Sequence, residues 1–537
     1  MTKNVITHWY KNGVKYYFGS AQSDVYLTAI SDLNAKAGNT QITLTWTDPT
    51  DVTLSGVTLA RFDHSVLVRK VWSAPTSESD WTIVTTTNTA GASVSYIDTG
   101  LTNWTTYYYK VFSTASNNNV TDSNTASTAP QEYRYMTLTI DESNSDPLAS
   151  VVYSDDASTM TVWSTAWDEF FGYYPCLLDK NGSEYKIVKH DLSTNYVDRT
   201  KDKDNNDISA YVNWTSGEYN AMIAFPRLWL KMSKNWNTIT VSLTDNPDAY
   251  SEGYHYLAHT DWAVDIWNIE TQTDEQDASK RKDTMYMWAY KGSTRSMTIN
   301  GTSQTCLCSN ATGSAPTVSQ SRPTFRTYAR NYSNWYSQVW YYQLLFRQVL
   351  YLFKYKNLNS QSALWRWYCD KTSSWSAVAC GLTNTKNMLC YGLTTSWTDT
   401  TNNRVVCFGI EDIWWNIWER IDGFNMNSYV AYTSTNRSNW ADDTASNYYN
   451  IWTATSTNNA YITKTLWTTA GGFLPTANSW WNASTYYCDN YWTSSGRRVL
   501  IAGGYWYDAD RVGVFYLASN NTSSNTYTYV GGRLMFL

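Results

Sequence analysis

The chain has 537 residues, 42 % hydrophobic and only 16 % charged, with a formal net charge of −6. This apolar content excludes global disorder and, at roughly 100–200 residues per domain, allows several cores. There is no long Lys/Arg run, which excludes a phosphate-tracking nucleic-acid surface, and no run of about 18 apolar residues, so no membrane insertion is expected. Tyr (44) and Trp (29) are abundant, whereas Gly (25) is scarce. With Asn, Ser and Thr as the main polar residues, the expected class is mainly β with a few helices.

The opening segment, residues 1–25, contains HWYKNGVKYYF. Asn12-Gly13 between aromatic flanks predicts a two-residue β-hairpin, read as an attachment element. The N-terminus lacks the apolar stretch of a signal peptide, so synthesis in a cytoplasm without export is expected.

Residues 26–130 alternate in short runs. Ile42, Leu44 and Trp46 point to one face, as do Val66 and Val68 in the next run. Turn clusters between the runs predict a β-sandwich. The stretch Leu101-Thr102-Asn103-Trp104-Thr105-Thr106-Tyr107, followed by Val111, resembles the corresponding segment of fibronectin type III modules. That resemblance implies Trp46 as the core tryptophan and Tyr107 as a corner tyrosine. Residues 117–130 read as a linker.

Residues 131–300 read as a mixed β intermediate region. EYRYMTLTI predicts a strand, residues 198–209 a polar loop, and residues 219–232 a strand pair. His255 and His259 with Asp261 nearby lack a third ligand. The acidic run at Asp202, Asp204 and Asp207 lacks the Gly and the terminal acid of a calcium loop. No metal and no cofactor is expected. The cysteines (176, 306, 308, 369, 380, 390, 407 and 488) have neither zinc-type nor close paired spacing and read as mostly buried free thiols.

Residues 301–537 carry the predicted helices. Ile410, Ile413, Trp414, Ile417, Trp418 and Ile421 share one helical face, with Glu411 and Asp412 as its polar start and Asp422-Gly423 as its stop. Leu345, Val349 and Leu352 mark a second helix.

Several segments from about residue 219 onward resemble one family: AFPRLWLK (224–231), FRTYARN (325–331), LNSQSALWRW (358–367), GIEDIWWNIWERIDG (409–423) and residues 498–536. They are similar to the C-type-lectin-fold variable proteins of diversity-generating retroelements, the group of the phage major tropism determinant and related tail fibres. The resemblance implies a C-type-lectin-like domain over 301–537 with a variable region at about 480–537. It also implies ligand-binding residues Tyr505, Tyr507, Asp508, Asp510, Arg511, Tyr516, Asn525, Tyr527 and Tyr529, with Asn490 and Arg497 on the same surface. Tyr supplies stiff amphipathic contact area, and Asn, Ser and Thr supply adaptable hydrogen bonds, as in antibody paratopes.

The expected function is therefore receptor binding by a phage tail fibre or tail tip, without catalysis. The implied partners are a host cell-surface protein or glycan, and other tail proteins through the N-terminus. A homotrimer, assembled on the virion tail and acting outside the cell, follows from the same resemblance. The alternatives are a bacterial surface adhesin or lectin, and a tail-associated glycan hydrolase, which needs paired carboxylates about 5–10 Å apart. No nucleophile elbow, phosphate loop or zinc-protease motif occurs. One departure stands out: Trp104, Trp288, Trp365, Trp367, Trp415 and Trp480 occupy places where the resembled motifs carry Gly. A reassigned TGA codon is the expected origin of both the excess and the deficit: either the source reads it as Trp and the fold has adapted, or the source reads it as Gly and these positions are glycines.

Overall fold

Short alternating runs dominate this chain, and it folds as mainly β structure with a few helices. The computed structural model describes residues 8–11, 14–17, 25–54, 56–212, 219–260, 281–309, 313–364, 377–392, 404–466, 468–480 and 483–537. Two units are distinct, Met1–Tyr133 and Arg134–Leu537.

In the first unit, strands His8–Lys11 and Val14–Tyr17 pair antiparallel with Lys11 opposite Val14. Beyond them lie two antiparallel sheets. One runs Asn34–Gly38, Gln41–Thr47, Ser93–Thr99; the other runs Val120–Asp122, Tyr107–Ala115, Phe62–Val71, Thr82–Thr87, with Ala126–Thr128 also on Tyr107–Ala115. Ile42, Leu44 and Trp46 of the first sheet meet Leu67, Tyr109 and Val111 of the second in one core. Trp46 Nε1 donates to Asp48 Oδ1 at 2.9 Å. The Thr102 N–H donates to Tyr107 Oη at 3.1 Å, the upstream main-chain tie of a corner tyrosine.

Two expectations fail here. Val66 and Val68 do not join Leu44 and Trp46; they pack with Phe112 on the opposite face, because Leu67 is the residue the pleat turns inward. Residues 117–130 are not a linker: their Thr- and Ser-rich runs supply two short strands to the strand Tyr107–Ala115.

The second unit holds three larger sheets. Four antiparallel strands run Val151–Asp155, Tyr135–Asp141, Thr238–Thr244, Trp229–Asn235. A seven-stranded sheet runs Tyr196–Asp202, Glu184–Asp191, Tyr174–Asp179, Tyr219–Pro226, Thr284–Trp288, Leu534–Phe536, Tyr336–Gln338. The nine-stranded sheet runs Tyr449–Thr453, Val430–Thr433, Trp418–Asn427, Arg497–Ala502, Leu517–Asn521, Asn490–Thr493, Ala460–Thr465, Pro475–Ser479, and Val530–Gly531 lies parallel to Trp418–Asn427. The helix Tyr341–Tyr355 is buried along its whole length. A helix apolar nearly all round is a core helix, and Leu345, Val349 and Leu352 lie on it as expected.

The division at residue 300 does not exist in the fold. The seven-stranded sheet takes Thr284–Trp288 from before it and Leu534–Phe536 from the chain end, hydrogen-bonded side by side. A helix also precedes it: Thr165–Phe171, capped by Ser164 Oγ accepting from the Ala166 N–H at 3.1 Å and ended by Gly172 at φ 63°. Residues 198–209 are half strand, since Tyr196–Asp202 pairs with Glu184–Asp191. The acidic run that follows is a turn. Asp202 accepts the N–H groups of Asp204 and Asn206 at 3.0 and 2.9 Å and holds Lys186 Nζ at 2.9 Å.

The helix expected over 410–421 is absent. Ile410–Glu411 and Trp418–Asn427 are strands, and Asp412, Trp415 and Asn416 between them have φ of 54°, 60° and 65°. Every residue from Val405 to Met426 is buried, so the apolar spacing reports a segment enclosed on all sides. Glu411 and Asp412 are no solvated helix start; both face Arg404, at 2.8 and 3.2 Å.

Among the described residues five tryptophans adopt left-handed backbone: Trp72 (φ 78°), Trp104 (66°), Trp163 (68°), Trp236 (56°) and Trp415 (60°). For a bulky side chain this region is a steric outlier. Trp288 is fully buried in its strand, Trp480 is exposed, and neither has positive φ. Trp365 and Trp367 lie outside the described residues, as do Asp261 and Cys369. The other seven cysteines are free and buried.

Candidate functional site

The nine-stranded sheet positions the site. Arg497–Ala502 runs into Gly503-Gly504, and the chain returns along Leu517–Asn521. Gly504 has φ 73°, and a Cβ there would stand 2.7 Å from Tyr516 Cδ1, so only glycine lets this turn close over the tyrosine. The excursion between the strands carries Tyr505 to Arg511, and a second loop after Asn521 carries Tyr527 and Tyr529.

These two loops lean on each other through their rings. Tyr505 stacks on Tyr529 at 4.4 Å between centroids, and Tyr529 on Tyr527 at 5.1 Å. Below them Tyr516 is wholly buried, 4.5 Å from the Trp418 ring, and its hydroxyl accepts from Trp492 Nε1 at 2.8 Å. Asp508 closes one side: its Oδ2 accepts the Tyr505 N–H at 3.0 Å. The result is a cavity of about 160 Å³ lined by aromatic rings and one carboxyl group. Burial pushes the Asp508 carboxyl up to about 7, and the Tyr505 N–H and Arg511 only partly offset it. Tyr507 stands beside Tyr505 and is 60 % exposed.

A buried ionic network holds the floor. Glu419 Oε2 accepts from Arg347 at 2.8 Å, with Lys291 at 3.6 Å and Arg533 also on the carboxylate. Burial opposes its ionisation, but Arg347, Lys291 and Arg533 hold the Glu419 carboxyl well below the usual range. Arg533 also donates to the carbonyls of Trp288 and Glu411, each at 2.8 Å. Gly531 is needed for close approach, since a Cβ there would lie 2.3 Å from Ile417 Cδ1 and 2.7 Å from the Thr317 carbonyl. The terminal Gly-Gly-Arg-Leu run thus fixes the strand that carries Trp418.

Of the residues expected from sequence, Tyr505, Asp508, Tyr516, Tyr527 and Tyr529 line this one cavity. Asp510 sits at the edge, where its Oδ1 accepts from Tyr461 Oη at 3.3 Å, and Arg511 is half-buried beside it. Three expectations are corrected. Asn490 is buried within the strand Asn490–Thr493, where pairing with Tyr461 turns it from the surface. Arg497 lines a separate groove with Arg498 and Asn425. Asn525 is a turn residue, its Oδ1 accepting the Thr522 N–H at 2.6 Å. Sequence reasoning missed Trp492, Asn520 and Asn521 in the lining, and it placed Trp418 on a helix. Strand alternation from Tyr516 through Ala518 would have found Asn520.

Among the described residues no group of three or more His, Cys, Asp or Glu is placed to hold a metal ion. His259 is fully buried beside Phe346, its Nε2 within 3.1 Å of the Phe225 carbonyl, and burial lowers it to about 4. His255 exchanges main-chain hydrogen bonds with Leu230. No helix among the described residues is long and apolar enough to cross a membrane.

No family model matches the chain, and no curated protein does. Among solved structures, a pectate lyase from Pectobacterium carotovorum is similar at 21 % identity over 19 % of this chain and 27 % of its own, with a TM-score of 0.14. Titin kinase with its flanking domains is similar at 11 % identity over 45 % and 38 % of the two chains, with a TM-score of 0.16. This chain spans well under half of either, and overlaps this slight carry no argument about fold or activity.

Proposed function

We propose that this chain is a phage tail receptor-binding protein that adheres to a host-surface protein or glycan through the tyrosine-lined cavity and its rim. One observation carries the reading: five residues chosen from sequence alone, in two separate segments, line a single cavity on a buttressed floor. Half-buried tyrosines stacked on one another and packed against the core are preorganised, so little ordering entropy opposes binding. The chemistry is adhesion, with several copies supplying avidity. Under this reading the N-terminal hairpin and sandwich serve as attachment and spacer, and the assembly is a homotrimer on the tail.

Deep sequencing of the 3′ end of the gene across one source population tests the proposal. Variation concentrated at codons 505, 507, 508, 510, 511, 527 and 529, tracking adenines of a nearby template repeat, is the expected result. Flat variation along the gene overturns the hypervariable receptor binder and leaves a fixed adhesin.

A further inference from the structure

A second concave surface lies elsewhere on the same unit and shares no residue with the tyrosine cavity. It encloses about 600 Å³ between the turn after Tyr174–Asp179, the hairpin Gly292–Ile299/Thr302–Ser309 and the end of the helix Arg322–Tyr332. Its size falls within the roughly 300–1,000 Å³ of small-molecule sites.

The charge in this groove is one-sided. Lys180 and Arg330 line it, and among the described residues no Asp or Glu does. The nearest acid in sequence, Asp179, is committed: its Oδ1 accepts the N–H groups of Asn181 and Ser183, each at 2.8 Å. One helical turn before Arg330, Arg326 takes both nearby carboxylates, Asp422 at 2.7 Å and Asp442 at 2.8 Å. Arg330 is left with a buried Nε that has no hydrogen-bond partner. Burial and the like charge of Arg326 both lower its hold on its proton. A guanidinium so placed gains more from an incoming carboxylate than a solvated one does, because its desolvation is already complete in part.

Side-chain amides of Asn181, Asn300, Gln304, Asn331 and Asn334 also line it, beside Ile299, Thr327, Tyr332 and Ser333. Amides offer a donor and an acceptor together, which matches neighbouring hydroxyls on a sugar ring. Trp335 stands at the groove with 55 % of its surface exposed, a flat apolar face for the C–H side of such a ring. Two cations are too few to track a phosphodiester backbone.

We infer that this groove binds a carboxylate-bearing saccharide, with the acid on Arg330 and Lys180, the hydroxyls on the amides and one ring face on Trp335. The site goes beyond the receptor reading and stands without it.

Calorimetry on the full chain tests this with acidic trisaccharides, including 3′-sialyllactose and a hexuronate trimer, each beside its neutral twin. An acidic member should bind about ten-fold more tightly than its twin. Arg330→Gln should erase that ratio while the melting temperature changes little, because the Arg330 Nε has no hydrogen bond to lose and Asp422 and Asp442 keep Arg326. Trp335→Ala should weaken acidic and neutral sugars together. Tyr529→Ala should change nothing here; loss of sugar binding in that variant would place the sugar in the tyrosine cavity and overturn the inference. Equal binding of twins, no binding by any acidic member, or an unchanged ratio in Arg330→Gln also overturns it. Full competition by equimolar inorganic phosphate would reduce the site to an anion hole and overturn the saccharide assignment.

Discussion

Replacing Trp236 with glycine should stabilise the protein, which is unusual for removing a tryptophan. Trp236 and Asn237 form the two-residue loop between Trp229–Asn235 and Thr238–Thr244, with Asn235 opposite Thr238. Trp236 has φ 56° at the first loop position, the place where such hairpins favour glycine. Left-handed backbone costs an ordinary L-residue about 1–2 kcal/mol. Glycine returns roughly 0.5–1 kcal/mol of that through the greater freedom of the unfolded chain. The indole is 91 % exposed, so almost no burial is lost. The net expectation is a gain of about 1 kcal/mol, read as a higher urea midpoint at unchanged slope by circular dichroism. An equal or lower midpoint refutes the strain argument. Trp415 is the internal contrast: φ is 60° but the side chain is 1 % exposed. There the loss of a buried indole, about 3–5 kcal/mol for truncation, outweighs the released strain, and Trp415→Gly should destabilise. Peptide mass spectrometry on protein from its natural source extends the test. Glycine at 72, 104, 163, 236 and 415 would show that the strained positions arise from codon reading, and tryptophan at all five would show that the fold bears the strain.

Three further outcomes follow from the same structure. The folded pKa of Asp508, about 7, lies above its unfolded value, so the stability this carboxyl contributes is fully present below about pH 4 and lost as pH rises through 7. Denaturation midpoints should therefore rise for Asp508→Asn relative to the native chain between pH 4 and 8; a constant difference would contradict the assignment. Lys354→Met leaves Asp168 buried without its counter-ion and should cost about 3–5 kcal/mol by urea unfolding, with a smaller loss expected in the Lys354→Met, Asp168→Leu pair, where the Tyr173 hydroxyl loses its acceptor. Cys390 and Cys407 face each other across the bridge Tyr391–Val406, and the Phe408 N–H, freed from the ladder, donates to Cys390 Sγ at 3.3 Å. Mild peroxide should join these two before any other pair, detected as a linked peptide; preferential linkage of Cys306 to Cys308 would contradict that order.

What the sequence disclosed depended on how many sides of a segment are buried. The sandwich was legible because Ile42, Leu44 and Trp46 alternate between core and solvent. The stretch Ile410 to Ile421 was not, because enclosure on every side removes the polar face that distinguishes a strand from a helix. Its turns depend on left-handed Asp412, Trp415 and Asn416, residues that do not announce such backbone. The tyrosines of the cavity were legible from their type and their place between glycines. Trp418 and Trp492 were not, because their part in the site arises from long-range pairing, Trp418 beside Val530 and Trp492 beside Ala518.

If the tyrosine cavity is the adhesive surface, its rings carry much of the binding energy. The most direct measurement is binding of fluorescently labelled chain to cells of the source community, native beside Tyr505→Ala/Tyr529→Ala. Central aromatic anchors are worth about 2 kcal/mol or more each, so each ring should cost at least about 30-fold in affinity and the double variant more, with circular dichroism confirming that the double variant is folded. Undiminished binding by a folded double variant would contradict the claim.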